Sequence, residues 1–292
     1  MTRQLPDGVK PTSGGKYDPD ATWTYFLAGD IDHIAQSQQP HVLVAVNEIE
    51  NDKDATILDR LCDERAVLLD SGIFNLAMSH ARAHEVSHDD GLSMPPEEID
   101  GFDDLWDRYA QIVDRYADRL WGVIELDQGG VEHKPRTRAR IETELGITPM
   151  PVYHPMLDGW DYYDTLAGEY DRLCFGNLVK APAPTRMRLV WTMAERAKAY
   201  PYLWTHLLGV SPSPTTLAMP YRGSCDSSSW LTGLRWLKSW HSWALLDHFA
   251  DFPPDMWYSR DEYERGVQII SNTAMAVQHT IDAAREDTHP WP

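Results

Sequence analysis

Cysteine is scarce. Three residues, Cys62, Cys174 and Cys225, stand far apart in 292 with no CxxC pair, which excludes a disulfide framework and a thiolate zinc cluster and suits a reducing compartment. Positive charge is also short: 26 basic against 45 acidic residues give a formal net charge of −19, and only seven of the basic residues are lysines. A broad basic face for nucleic acid is therefore excluded, because non-specific affinity comes from counterion release by Lys and Arg, although a local basic groove is not. No apolar run approaches the roughly 20 residues that span a bilayer. The opening MTRQLPDGVKPTSGGKYDPD is polar rather than a charged-then-apolar signal. These absences lead us to expect a soluble, cytoplasmic protein with no membrane partner. Repeats and low-complexity segments are missing as well, and residues 1–20 read as a poorly ordered tail.

What is present is a 42% hydrophobic, aromatic-rich chain long enough for one barrel-sized core. Short apolar runs bounded by Gly, Pro, Asn or Asp alternate with longer amphipathic stretches, the pattern of a parallel sheet wrapped in helices. Candidate strands are 41–46, 66–70, 121–127, 150–154, 173–176, 205–210 and a weaker run ending at Asp226. Candidate helices cover 54–64, a stretch carrying Leu105, Tyr109, Ile112, Val113 and Tyr116 at helical spacing, 136–145, 158–169, 185–200 and 261–285. Seven strands with no Gly-rich phosphate loop after the first favour an α/β fold of the (β/α)8 TIM-barrel type over an open dinucleotide-binding sheet, with 21–292 as a single domain. The eighth strand is not evident.

Chemistry in such barrels sits at the carboxyl ends of the strands. Asp70 follows AVLL and precedes Ser71 and Gly72; Asp127 closes VIELD; His154 closes MPVYH; Asp226 lies in GSCDSSSW beside Trp230. Each has a plainer reading. Asp70 and Asp226 could be helix N-caps, Asp127 a turn residue, His154 an ordinary strand-end histidine and Trp230 simply core. His80, His84 and His88 recur every four residues, which on one helix shares a face, but no HExxH arrangement is present and a solvated helix face or loop is the reading preferred over a metal site. No metal and no cofactor are expected, and activity is expected to survive chelators.

In order along the chain, VLVAV, VLLDSGIF, VIELDQGG, PMPVYH, CFGNL, HLLGVSP and SCDSSSW together resemble the tRNA-guanine/7-deazaguanine transglycosylase superfamily. They are most like its phage-type, DpdA-like DNA transglycosylases. The likeness spans about residues 40 to 235. It implies that Asp70 is a general base, that Asp127 reads the incoming base, that Gly176, Asn177 and Leu178 bind the base carbonyl through backbone, and that Asp226 is the nucleophile. Ser71, Gly72, Phe74, His154 and Trp230 would complete the substrate pocket. Ile73 and Asn177 stand where the family has glycine, His154 is a loose match, and the zinc-bearing segment of the tRNA enzymes is missing, which sets DNA ahead of tRNA as polymer.

The implied reaction is replacement of guanine in DNA by a free 7-deazaguanine through an aspartyl-sugar intermediate, in the host's cytoplasm if the chain is viral. Phe74, Tyr153 and Trp230 are candidate stacking surfaces for a nucleotide drawn out of its stack. Lys134, Arg136, Arg138 and Arg140, with Arg186 and Arg188 elsewhere, are candidate phosphate contacts on an otherwise acidic surface. A glycoside hydrolase using two carboxylates and a non-catalytic purine-binding barrel are the competing readings. The aromatic C-terminal segment from Trp236 carries no assignable motif and suggests packing or an interface, so a homo-oligomer stays open.

Overall fold

Alternation within single strands sets the architecture. In a computed structural model that describes residues 5–17, 23–211 and 222–231, Val42 and Val44 pack in one apolar layer and Leu43, between them, in another; Val67 and Leu69 flank Leu68 in the same way, and Tyr25 and Leu27 flank Phe26. Successive side chains leave a strand on opposite faces, so both faces of this sheet are buried, as parallel sheets require. The outer layer lies under helices. The inner one, with Phe26, Leu68, Met150, Cys174 and Trp204, fills the concave side.

In chain order the strands are β1 (Trp23–Ala28), β2 (His41–Ala45), β3 (Ala66–Asp70), β4 (Gly122–Val123), β5 (Val152–Tyr153), β6 (Arg172–Phe175), β7 (Trp204–Leu207) and β8 (Arg222–Ser227). All pairings are parallel, in the order β4-β3-β2-β1-β8-β7-β6-β5. The eighth strand that the sequence leaves unassigned is thus the first, WTYFLA, every residue of which is buried. Like β2 and β3 it is buried on both faces and reads as a short apolar run rather than an alternating one.

The α/β class and the eight parallel strands agree with the sequence. A continuous ladder between the end strands is not there: β4 and β5 are joined by one parallel bridge, Ile124 to Met150, with Met150 N–H donating to Val123 O (2.7 Å) and Glu125 N–H to Met150 O (3.1 Å). A buried side chain takes the next rung, where the Val152 amide donates to the Glu125 carboxylate (2.7 Å).

Eight α-helices lie among the described residues: α1 (Ile31–Gln36), α2 (Asp52–Glu64), α3 (Ile73–Ala83), α4 (His88–Ser93), α5 (Phe102–Tyr116), α6 (Gly130–Leu145), α7 (Trp160–Glu169) and α8 (Ala183–Ala197). α5 buries Leu105, Tyr109, Ile112, Val113 and Tyr116, the spacing seen in the sequence, together with Trp106. α3 and α4 form an extra pair between β3 and α5. The expected helix at 261–285 and the aromatic C-terminal segment lie outside the described residues.

Residues 5–17 depart from the expected tail. Lys10 bridges to Tyr170, and the Thr12 amide and hydroxyl both donate to Asp171 Oδ1 at 2.8 Å. Tyr17 stands edge-on to Trp121 and Trp204. Polar residues that look like a solvated arm satisfy the amino ends of the strands by hydrogen bonding, which a hydropathy reading does not register.

Candidate active site

Parallel strands bring their carboxyl ends to one rim. Period-2 alternation puts Asp70 on the face of Leu68, and Asp226 on the face of Ser224, which is the inner one. Asp127, His154 and Asn177 arrive from the segments just past β4, β5 and β6. Together with Phe74, Val179, Leu208 and Gly209, these side chains line one cavity of about 160 Å³. That is small beside the roughly 300–1,000 Å³ of drug-sized sites, and on the scale of a single flat ring system.

The three carboxylates have different surroundings. Burial, then the charges of Asp127 and Asp226, push Asp70 up to about 7, against the opposing pull of the Gly72 and Ser71 amides. Burial acts on Asp127 in the same direction, but the His154 imidazole, whose Nε2 lies 2.6 Å from Asp127 Oδ2, and the Lys134 ammonium hold it below the usual carboxylate range. Asp127 is therefore an anion beside a group that can carry a proton near neutrality. This splitting of adjacent acids is the arrangement that proton-transfer sites use.

Asp226 is fixed through one oxygen. Oδ1 accepts from the Gly209 amide (3.0 Å) and from His206 Nε2 (3.1 Å). The carboxylate can only accept, so His206 Nε2 carries the proton toward Asp226. Behind it, Ser224 Oγ accepts from Trp204 Nε1–H (2.8 Å) and lies 2.8 Å from His206 Nδ1. Both hydrogen bonds that Asp226 accepts among the described residues go to Oδ1. Nothing in the sequence pattern flagged His206 or Ser224. The available signal was their register, since the two pair directly across β7 and β8.

Several buried polar atoms without partners lie at or beside the cavity, and others lie elsewhere in the molecule. Among the described residues, both side-chain polar atoms of Asn177, His154 Nδ1 and Ser71 Oγ have no hydrogen bond. Such groups are rare in native interiors and cost about 1–3 kcal/mol each when left unpaired. Asn177 holds a left-handed backbone, φ 56°, a conformation glycine adopts more readily, and adds an amide to the cavity. Gly176 is required by packing, since a Cβ there would fall 2.9 Å from Val152 Cγ1 and 3.0 Å from His154 Cδ2.

Several expectations need correction. The Gly176 N–H is taken by Tyr153 O (2.8 Å) and is not free to meet a base carbonyl; the Leu178 side chain lies in the outer apolar layer, and Asn177 brings a side-chain amide to the cavity beside its backbone. Trp230 donates to Ala28 O (2.8 Å) and packs in the outer layer, as does Tyr153. Neither lines the cavity, so of the three proposed stacking rings only Phe74 does. Gly72 turns with φ 76°, and a side chain there would meet Asn47 Oδ1 at 2.6 Å.

The basic strip on α6 divides by face. Lys134 is fully buried, bonded to Asp158 (2.6 Å) and Val152 O (3.2 Å), and Asp158 in turn accepts the His154 amide (2.7 Å). Arg138 makes a buried two-pronged pair with Glu125 (2.6 and 3.1 Å). Both therefore hold the β4–β5 seam and His154 rather than meeting phosphate. Arg136 and Arg140 stay on the outside, paired with Glu97 and Glu144. Arg186 donates to the carbonyls of Val179 and Ala181. The histidine run divides too, because the chain turns at Glu85 (φ 55°): His80 and His84 belong to α3 and its cap, whereas His88 opens α4 and stands edge-on to Phe74.

No family model and no curated protein matches the chain.

Proposed function

We propose that this chain is a pentosyltransferase built as a (β/α)8 TIM-type barrel, a base-exchange transglycosylase of the 7-deazaguanine kind acting on DNA. The observation that carries the reading is the convergence of Asp70, Asp127 and Asp226 on one base-sized cavity, with Asp70 pushed up and Asp127 held down. Asp226 Oδ2 attacks C1′ of the target nucleotide, the C1′–N9 bond breaks, and guanine leaves with a proton from Asp70. An incoming 7-deazaguanine then gives its N9 proton back to Asp70 and attacks C1′, and Asp226 departs. Protons balance over the cycle, and two inversions retain configuration. A group titrating near 7 suits both halves, since it must act as acid and then as base.

His206 and the Gly209 amide hold Oδ1, which orients Oδ2 and spreads the carboxylate charge without blocking attack. Asp127, kept anionic by His154, accepts from the ring and amino N–H groups of a guanine-like edge, and Asn177 donates to its carbonyl. Phe74 offers a face for stacking.

The test incubates purified protein with labelled 7-deazaguanine and either DNA or tRNA. Label in DNA, together with a denaturation-stable protein–DNA adduct when no incoming base is supplied, is the expected result. Label in tRNA alone would move the polymer assignment and leave the aspartate chemistry standing; no label in either would defeat the proposal.

A further inference from the structure

One cluster of ligand-type side chains takes no part in this chemistry. We propose that His80, His84 and Asp100 form a binding site for a divalent transition-metal ion, zinc by the character of its donors. His80 and His84 stand one helical turn apart on α3, with rings stacked at 4.2 Å between centroids. The turn before α5 swings Asp100 over both, with Oδ2 at 2.8 Å from His84 Nε2 and 3.3 Å from His80 Nδ1. One ligand atom from each residue falls within 4.8 Å of the others. Bonds of about 2.0–2.2 Å at tetrahedral angles would hold such atoms roughly 3.3–3.5 Å apart, so small rotations of exposed side chains close the set.

The electrostatics favour a cation. The Asp100 amide donates to His80 Nδ1 (3.1 Å), so that nitrogen presents a lone pair, and a carboxylate oxygen 3.3 Å away faces it with no hydrogen between them. Asp103 and Asp104 in the first turn of α5 add negative potential. A metal ion relieves the repulsion by exchanging the Asp100 amide's bond to His80 for a metal–nitrogen bond. Two imidazoles and one carboxylate suit zinc, cobalt or nickel ahead of magnesium or calcium, which prefer all-oxygen shells. The His80 side chain is 4% exposed, against 51% for His84 and 74% for Asp100. Protein thus anchors one ligand while water can complete the shell.

The ion would fasten the end of α3 to the turn leading into α5. The segment between them carries α4, and the Gly91 and Met94 carbonyls there accept from Gln128 (2.7 and 2.8 Å), the neighbour of Asp127. The site is therefore a clip on the wall beside the cavity, distinct from the reacting groups.

The experiment strips the full-length protein with EDTA, removes the chelator, and titrates with ZnCl2 by calorimetry and with CoCl2 by visible absorption. One equivalent of zinc should bind, and cobalt should give the intense bands of low-coordinate Co2+. His84→Ala and Asp100→Asn alter exposed side chains; each should weaken zinc at least about tenfold and abolish the cobalt bands, with circular dichroism unchanged. Absence of zinc uptake by the unaltered chain would overturn the proposal, and so would equal uptake by both variants, which would place the metal among the other histidines.

Discussion

Two buried polar clusters, one at each end of the sheet, stand in opposite states. At the amino ends, Arg172 is fully buried, yet its guanidinium donates to Trp121 O (2.7 Å), Thr12 O (2.7 Å) and Ser13 O (2.8 Å) and lies 4.2 Å from the Tyr17 ring. At the carboxyl ends, the Asn177 amide, His154 Nδ1 and Ser71 Oγ are buried without protein partners, and Asp70 sits among like charges. Both ends are polar and enclosed, so burial and polarity do not separate structure from function. Between these two clusters the difference is hydrogen-bond completeness: the Arg172 donors are paired, whereas the polar atoms beside the cavity leave room for a ligand to pair them.

The comparison breaks first on activity. Asp226→Asn keeps the shape of the cavity and removes the proposed nucleophile, and the proposed base exchange should fall by about 10⁴-fold or more in single-turnover assays while the melting curve is retained. A variant exchanging at near-normal rate would take Asp226 out of the chemistry. At the other end, Arg172→Met leaves three buried carbonyls without donors. Urea denaturation should record a loss of about 3–5 kcal/mol, with residual folded protein still competent to bind the base. A loss below about 1 kcal/mol would mean that the amino-end network is not what holds residues 5–17.

Asp70 sharpens the contrast through pH. Its folded value, about 7, lies above the ordinary 3.8, so the folded state binds this proton more tightly than the unfolded state. Stability from this group is full below about pH 4 and is lost as pH rises through 7. Asp70→Asn removes that slope. At pH 8 the variant should be more stable than the unaltered chain by on the order of 1–2 kcal/mol, with solvent access to the cavity moderating the effect, while exchange is strongly reduced. Parallel pH–stability curves for the two proteins would show that Asp70 titrates in its normal range.

Asp70, Asp127 and His154 were legible in sequence because apolar runs announce their own carboxyl ends, whereas Asp226, within the polar strand RGSCDS, was marked by the motif around it. β2 and β3 were readable as short apolar runs; β1, buried on both faces in the same way, carried the same kind of run and was left unassigned. His206 was not legible, since an inward histidine in mid-strand looks like any other buried residue until its partner Ser224 is placed by register. The division of α6 was readable in principle. Lys134, Arg138 and Ile141 recur at helical spacing and are all buried, whereas Arg136 and Arg140 lie between them on the other face; reading the segment as a charge run obscured its period. Asp100 could not be tied to His80 and His84 without the fold, because contact between them depends on how the turn before α5 is laid across α3.

The smallest expected effect concerns the polymer. With Lys134 and Arg138 committed to Asp158 and Glu125, the outer face of α6 offers Arg136 and Arg140 to a phosphate backbone, the latter with its guanidinium 3.6 Å from the centre of the Trp106 ring. Each now holds an exposed surface pair, to Glu97 and Glu144, and such pairs contribute little and give way to a stronger anion. The double change Arg136→Ala and Arg140→Ala should weaken DNA binding a few-fold and reduce the slope of log affinity against log salt by about 1–2. Binding of free 7-deazaguanine and the melting temperature should stay close to those of the unaltered chain. Arg138→Ala should do the reverse, unfolding the β4–β5 seam with no specific effect on the salt slope. A double variant with an unchanged slope would place the polymer elsewhere on the rim, and the search would turn to Lys180, which stands 6.0 Å from the centre of the Phe74 ring at the cavity mouth.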